Sequence, residues 1–208
     1  MTQTYKLYGR TGAGSLAPQI VLEEIGVPYE MFWVSKSPED LEKFRPINPA
    51  GKIPSLVLPD GTAIAESAAI LIHLTQAHPA AGLAPTPGTT AHARFLQWMV
   101  FLSANAYEAA LRYFYAERYG IAGSAVADIK AQALADYTAH LEFIQAVLSP
   151  YVLGSEYSAV DPYLLMLGSW YPGGTAALSA RLPKLHQHAE LLRRRPATRK
   201  AEEDHVER

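Results

Sequence analysis

The stretch from Asn48 to Leu74, NPAGKIPSLVLPDGTAIAESAAILIHL, constrains this chain more than any other. It reads as a turn, an apolar step onto proline at Ile53 and Pro54, and a strand over 55–58. A hairpin turn at Pro59, Asp60 and Gly61 follows, then a second short strand over 62–65 and a helix that opens after Glu66 and Ser67. Asp-Gly between two apolar strands is a strong hairpin signal, because a tight two-residue turn asks for positive φ at both central positions. Ser67 stands immediately before AAILIHL, where a serine hydroxyl caps the free N–H groups of a first helical turn. Such a helix end attracts a carboxylate, and the Glu66 carboxylate beside it attracts a cation. Two readings stay open. Either Ser67 only caps and Glu66 only faces water, or the pair receives a ligand with an ammonium and a carboxylate on one carbon, as at the α-amino acid end of a peptide.

With 208 residues, 49% hydrophobic and 18% charged, the chain has material for one large domain or two small ones. A net charge of -2 gives no reason to expect nucleic acid or an anionic membrane as partner, and a small neutral or anionic ligand fits better. The chain has no cysteine, which excludes disulfides, thiolate metal sites and a protein thiol nucleophile. Any thiol chemistry must come from a bound ligand. The start, MTQTYKLYGR, lacks the charged segment and apolar core of a signal peptide, and no apolar run reaches membrane-spanning length. A cytoplasmic protein is expected.

Upstream, 5–8 reads as a strand, GRTGAGS (9–15) as a glycine-rich turn, LAPQIVLEEI as a helix stopped by Gly26, and 29–34 as a second strand. Leu16, Ile20, Val21 and Ile25 form the apolar stripe of that helix, and Pro18 lies in its first turn, where a missing N–H costs nothing. Strand, helix, strand implies a parallel pair with a right-handed crossover. SPEDLEKFRP is a short polar helix that proline ends. The glycine loop has no GKS or GKT, and its glycines at 9, 12 and 14 do not fit GxGxxG, so nucleotide binding is not expected.

Past Thr75, QAHPAAGLAPTPGTT breaks the helical pattern and marks a boundary. Phe95, Trp98, Met99, Leu102 and Ala106 then form one apolar stripe on a helix expected from about Thr90 to Arg118, and Leu134, Tyr137, Leu141, Ile144 and Leu148 form another. Tyr107, Tyr113, Phe114, Tyr115 and Tyr119 crowd the end of the first of these helices, mostly as packing. Ser158 and Asp161 have capping-box spacing ahead of a helix whose run 163–167 has no polar face, so that helix is expected to be buried. Arg193 to Arg195 read as a solvated helix end, not a nucleic-acid site. His186 and His188 face apart on a helix, so no metal site is expected.

The run NPAGKIPSLVLPDG followed by ESAAI resembles the glutathione-binding half of the thioredoxin-like domain in the cytosolic glutathione transferase superfamily. RTGAGSLAPQIVLEEIGVPYE is similar to the bacterial beta-class pattern, in which a cysteine precedes SLAP. The resemblance covers nearly the whole chain and rests on the order of its motifs. It implies an α+β thioredoxin-like domain over 1–80, of order βαβ-α-ββα with a mixed four-stranded sheet. A linker at 81–88 and an all-α helical bundle over 89–208 complete the implied organisation. It also implies that the peptide before Pro54 is cis, that the Ile53 backbone faces the cysteinyl part of glutathione, and that Glu66 and Ser67 hold the γ-glutamyl end with Lys52 nearby. The implied activity is conjugation of the glutathione thiolate to an apolar electrophile by a homodimer, with the capping motif serving folding.

In the family the loop after the first strand delivers a tyrosine, serine or cysteine to the glutathione sulfur, and here the cysteine and the tyrosine are missing, because Gly14 stands at the beta-class cysteine position and Gly9 where a tyrosine would follow Tyr8. The hydroxyls left in the loop are Thr11 and Ser15. Ser15 is either only the N-cap of the first helix or a donor that, with the helix N-terminus, draws a thiol pKa from its usual value of about 8.5 toward about 7. Tyr107 falls where beta-class relatives carry a histidine and is the third catalytic candidate. Beside the transferase stand a non-catalytic glutathione-binding or regulatory protein of the same fold, and a specialised glutathione-dependent isomerase, dehalogenase or lyase.

Overall fold

A computed structural model describes residues 4–120 and 125–206. The chain separates into two compact units, one built from the chain up to Ala84 together with the segment from Leu192 onward, the other from Pro85 to Leu191. The first contains β1 (Tyr5–Gly9), α1 (Leu16–Ile25), β2 (Tyr29–Trp33), α2 (Pro38–Phe44), β3 (Ser55–Val57), β4 (Ala63–Ala65) and α3 (Ser67–Ala77). Its sheet has the order β2-β1-β3-β4, with β1 and β2 parallel and the other pairs antiparallel. This is the expected thioredoxin-like arrangement. Tyr5, Leu7 and Gly9 are buried on one face of β1. On the other face Tyr8 stacks on Phe32 at 4.9 Å and tilts against Phe44 of α2 at 5.6 Å. Ile20, Val21 and Leu22 of α1 and Ile70, Leu71 and Leu74 of α3 lose all solvent contact, which makes these two helices the apolar cover of the sheet.

The hairpin turn differs from the expectation of positive φ at both central positions. Gly61 alone in that turn has it, at 91°. Its N–H donates to the Leu58 carbonyl at 2.9 Å, and the Leu58 N–H donates to the Thr62 carbonyl at 2.8 Å. This is the three-residue connection built from a type I turn and a left-handed glycine. Pro59 is the reason, since its ring holds φ negative at the first central position.

The second unit is helical: α4 (Thr90–Phe101), α5 (Glu108–Phe114), α6 (Val126–Gln145), α7 (Val160–Ser169), α8 (Gly174–Arg181) and α9 (Pro183–Arg193), whose last residues pass into the first unit. The helix expected to run unbroken from Thr90 to Arg118 instead widens into a π-helical stretch over Leu102–Tyr107 and ends at Phe114. The Asn105 side chain donates to the Phe101 carbonyl at 3.3 Å within the widened turn. Phe95, Trp98, Met99, Leu102 and Ala106 are all buried; in the second stripe Leu134 is only half-buried while Tyr137, Leu141, Ile144 and Leu148 are buried. Among the described residues no helix is long and apolar enough to cross a membrane.

The segment from Leu192, expected with the helical domain, groups with the first unit because its charges meet those of α1. Arg195 donates to both carboxylate oxygens of Glu24, at 2.6 and 2.8 Å. Within α10 (Pro196–Asp204), Lys200 pairs with Glu23 at 2.6 Å, and Asp204 accepts from the Gln19 amide at 2.8 Å.

Helix α7 is buried from Val160 to Gly168, as its lack of a polar face predicts. Asp161 gathers the donors around it, accepting from the Val152 N–H at 3.0 Å, the Ser158 N–H at 2.8 Å and the Ser158 hydroxyl at 3.2 Å, with His188 Nε2 at 2.9 Å. Asp161 is fully buried and His188 is 2% exposed. Asp161→Ala would leave these donors without an acceptor in the interior. It is expected to cost about 3–5 kcal/mol, measured as a lower urea midpoint, and Asp161→Asn, which keeps one acceptor oxygen, should cost less.

Candidate functional site

Strand register assembles one end of the sheet. Ser55 pairs with Tyr8 on one side and with Ala65 on the other, so Pro54, one residue earlier, comes level with Gly9 and with Glu66. The peptide between Ile53 and Pro54 is cis, as the resemblance implies. Asn48 holds the approach to it: its side chain donates to the Lys52 carbonyl at 2.7 Å and to the Ser55 hydroxyl at 3.2 Å, and accepts from the Ala50 N–H at 3.1 Å. Lys52 is exposed and Ile53 half-buried. The N–H and C=O of Ile53 meet no partner among the described residues.

Glu66 is the one non-glycine among the described residues with positive φ, at 70°. Such a conformation costs roughly 1–3 kcal/mol and persists where the surroundings demand it, often at ligand clamps. Its side chain is exposed and enters no ion pair among the described residues. The unusual φ also moves the cap. Glu66, not Ser67, is the N-cap of α3, and its carbonyl accepts from the Ile70 N–H at 2.9 Å. Ser67, already helical and 4% exposed, turns its hydroxyl to the Gly14 carbonyl at 3.4 Å. No side chain caps the first turn of α3, so its leading N–H groups have no side-chain acceptor. The Ser67–Gly14 contact joins this helix to the β1–α1 loop.

That loop is closed by its own backbone. The Ala13 N–H donates to the Arg10 carbonyl at 3.1 Å, and Gly12 takes φ 64° while Thr11 does not go positive. These signs define a type II turn with Gly12 in its third position. Arg10 ties the loop to the end of β2, its guanidinium donating to the carbonyls of Val34 at 2.9 Å and Ser35 at 3.0 Å. The Gly12 N–H donates to Nδ1 of His205 at 3.2 Å.

Ser15 is the N-cap residue of α1, its carbonyl accepting from the Gln19 N–H at 3.0 Å, but its hydroxyl turns away from the helix. It makes no side-chain cap on α1, and it is fully buried. Its hydroxyl accepts from the Arg10 N–H at 3.2 Å and donates to the Arg10 carbonyl at 3.3 Å, so the loop itself consumes the group expected to meet a thiol. Gly9 belongs to the same packing: a Cβ there would lie 2.2 Å from Ser15 Oγ and 2.5 Å from Met31 Cε. A side chain after Tyr8 and a buried Ser15 exclude each other. Thr11 is half-buried, and its hydroxyl meets no partner among the described residues.

Gly9, Ile53, Pro54, Glu66 and Ser67 are thus brought to one end of the sheet, with Thr11 in the adjoining loop. Tyr107 belongs to the second unit, at the end of the π-helical stretch, with its ring edge-on to Trp170 at 5.2 Å and 6.5 Å from Tyr163. Sequence reasoning missed Asn48 and His205. The Asn-Pro pair signals a turn but not its side-chain contacts, and His205 lies 193 residues from the glycine it meets.

Residues 15–77 match the family model for the N-terminal domain of glutathione S-transferases. A solved glutathione transferase homologue from Sulfitobacter, with bound glutathione, is 29% identical with a TM-score of 0.87, covering 97% of this chain and 98% of that one. A sphingomonad glutathione S-transferase complexed with glutathione is 30% identical with a TM-score of 0.80, covering 96% and 98%. The uncharacterised GST-like protein YncG of Escherichia coli K12 is 29% identical over 174 residues, 81% of this chain and 82% of its own. Gly9→Ala tests the packing that shapes the loop. It is expected to destabilise the first unit by about 1–3 kcal/mol, seen as a lower melting temperature that Ser15→Gly in the same chain partly restores.

Proposed function

The chain belongs to the cytosolic glutathione transferase superfamily, and from that premise we propose that it binds glutathione along this end of the sheet and transfers the thiolate to an apolar electrophilic small molecule. The observation that carries the reading is Glu66, held at positive φ with a carboxylate that enters no ion pair among the described residues, beside the uncapped first turn of α3. A carboxylate and a set of free N–H groups side by side complement an α-amino acid end, whose ammonium goes to Glu66 and whose carboxylate goes to the helix N–H groups, with the Ser67 hydroxyl turning from its long 3.4 Å contact with the Gly14 carbonyl to donate there as well. The Ile53 backbone groups take the cysteinyl amide as an added extended strand would. Lys52 offers a cation to the anionic tripeptide.

Binding energy at the peptide end then holds the sulfur in place. The Thr11 hydroxyl and the N-terminus of α1 favour its ionised form, Ser15 keeps the loop shut, and the Tyr107 hydroxyl is a further candidate donor by family resemblance. In transfer, the sulfur forms a bond to the electrophilic carbon and the leaving group departs with its electron pair. By family resemblance the chain works as a homodimer in the cytoplasm. A second reading, glutathione binding without catalysis, is favoured by one observation: the Ser15 hydroxyl is buried and committed to Arg10.

Calorimetric titration with glutathione, in two buffers of different ionisation enthalpy, separates them. Binding with proton release is expected for the transferase; binding without release supports the non-catalytic protein, and no binding overturns both. Glu66→Ala and Ser67→Ala are each expected to weaken binding by about 1–3 kcal/mol. Unchanged affinity in both would remove the assignment of these residues.

A further inference from the structure

The C-terminal segment reaches the loop at a point that the proposed chemistry does not use. His205, one residue past α10, is 8% exposed. Its ring lies edge-on to Trp33 with centroids 5.1 Å apart, and its Nδ1 accepts the Gly12 N–H at 3.2 Å. A backbone N–H only donates, so Nδ1 is bare and the ring proton sits on Nε2. Burial pushes the imidazole down to about 4, which keeps the ring neutral and the acceptor intact near neutral pH. Nε2 is itself buried and meets no partner among the described residues. An interior donor left unpaired is costly, and a phenyl ring would fill the space beside Trp33 without that cost. What an imidazole adds over a phenyl here is the acceptor for Gly12.

That acceptor acts on the coordinate that matters in the turn. Types I and II differ in the orientation of the peptide between the second and third residues, here Thr11–Gly12. With its N–H held on Nδ1, this peptide has one way up. The segment that carries the imidazole is anchored on α1, the helix that the loop leads into, through Arg195 and Glu24, Lys200 and Glu23, and Asp204 and Gln19.

We propose that His205 is a positioning residue, which from the C-terminal segment holds the Thr11–Gly12 peptide in the orientation that presents the loop to the sulfur of a bound thiol. The effect on the thiol rests on the glutathione reading; the hold on the loop does not.

Two variants of the full chain test it. His205→Phe keeps a ring against Trp33 and removes the acceptor, whereas His205→Asn returns an acceptor oxygen at the same distance along the side chain as Nδ1. Without ligand, exchange of the Gly12 amide followed by NMR should quicken at least about tenfold in the Phe variant and return toward wild type in the Asn variant. With glutathione and chlorodinitrobenzene, kcat should fall roughly ten- to hundredfold in the Phe variant with KM for glutathione little changed. The pH profile of kcat should move upward, and the Asn variant should recover both. Unchanged Gly12 exchange in the folded Phe variant overturns the hold on the loop. Faster exchange with an unaltered kcat and pH profile overturns the positioning role and leaves a structural clasp. An Asn variant that behaves like the Phe variant overturns the acceptor argument. Should the Phe variant not fold, the imidazole nitrogen shifts of the wild-type chain decide: a bare Nδ1 and protonated Nε2 are expected, and the opposite tautomer refutes the proposal. If the wild-type chain binds no glutathione, the glutathione reading fails, and Gly12 exchange alone judges the hold on the loop.

Discussion

The candidate site at one end of the first unit's sheet depends on the register of a single short strand. Because β3 pairs Ser55 with Tyr8 and with Ala65 at once, the loop after β1, the Ile53–Pro54 peptide and the start of α3 are delivered to the same edge. A slip of one residue would turn every β3 side chain to the other face of the sheet, taking Leu56 out of the core and separating these three backbone pieces. Leu56 is wholly buried, so the hydrophobic core that stabilises the sheet also fixes the geometry of the site.

The loop between β1 and α1 shows a different economy. Its hydroxyl, its glycines and its arginine are spent largely on the loop itself: Ser15 on Arg10, Arg10 on the end of β2, Gly9 on room for Ser15, and Gly12 on the turn and on His205. What such a loop can present is its half-buried Thr11 and the N–H groups ahead of α1. Backbone donors held in place need no reorganisation when charge develops beside them. A loop without a cysteine or a tyrosine can therefore meet a thiol only through Thr11 and its backbone donors.

Polar groups also organise the second unit, where Asp161 answers donors from Val152, Ser158 and His188 at the head of its most buried helix. A carboxylate so placed makes the interior stable only as a complete set, because each donor it satisfies would otherwise be stranded away from water. The Ser158–Asp161 spacing was visible in the chain, but the hydroxyl donates to the carboxylate, and His188 completes the set from another helix.

Local structure was legible from the chain alone: strands from apolar runs, helices from their stripes, a break after Thr75, and a helix opening at Glu66 and Ser67. These follow from interactions within a few residues, which is the range over which periodicity and turn chemistry operate. Even there the details shifted, with Pro59 setting the hairpin turn and Glu66 taking the cap from Ser67. Only the tertiary structure decided that Ser15 faces inward, that Gly9 makes room for it, that the last helix lies on α1, and that His205 meets Gly12. Each of these depends on which distant side chains compete for one volume or one hydrogen bond, and no local pattern carries that information, because the competition exists only once the chain has folded.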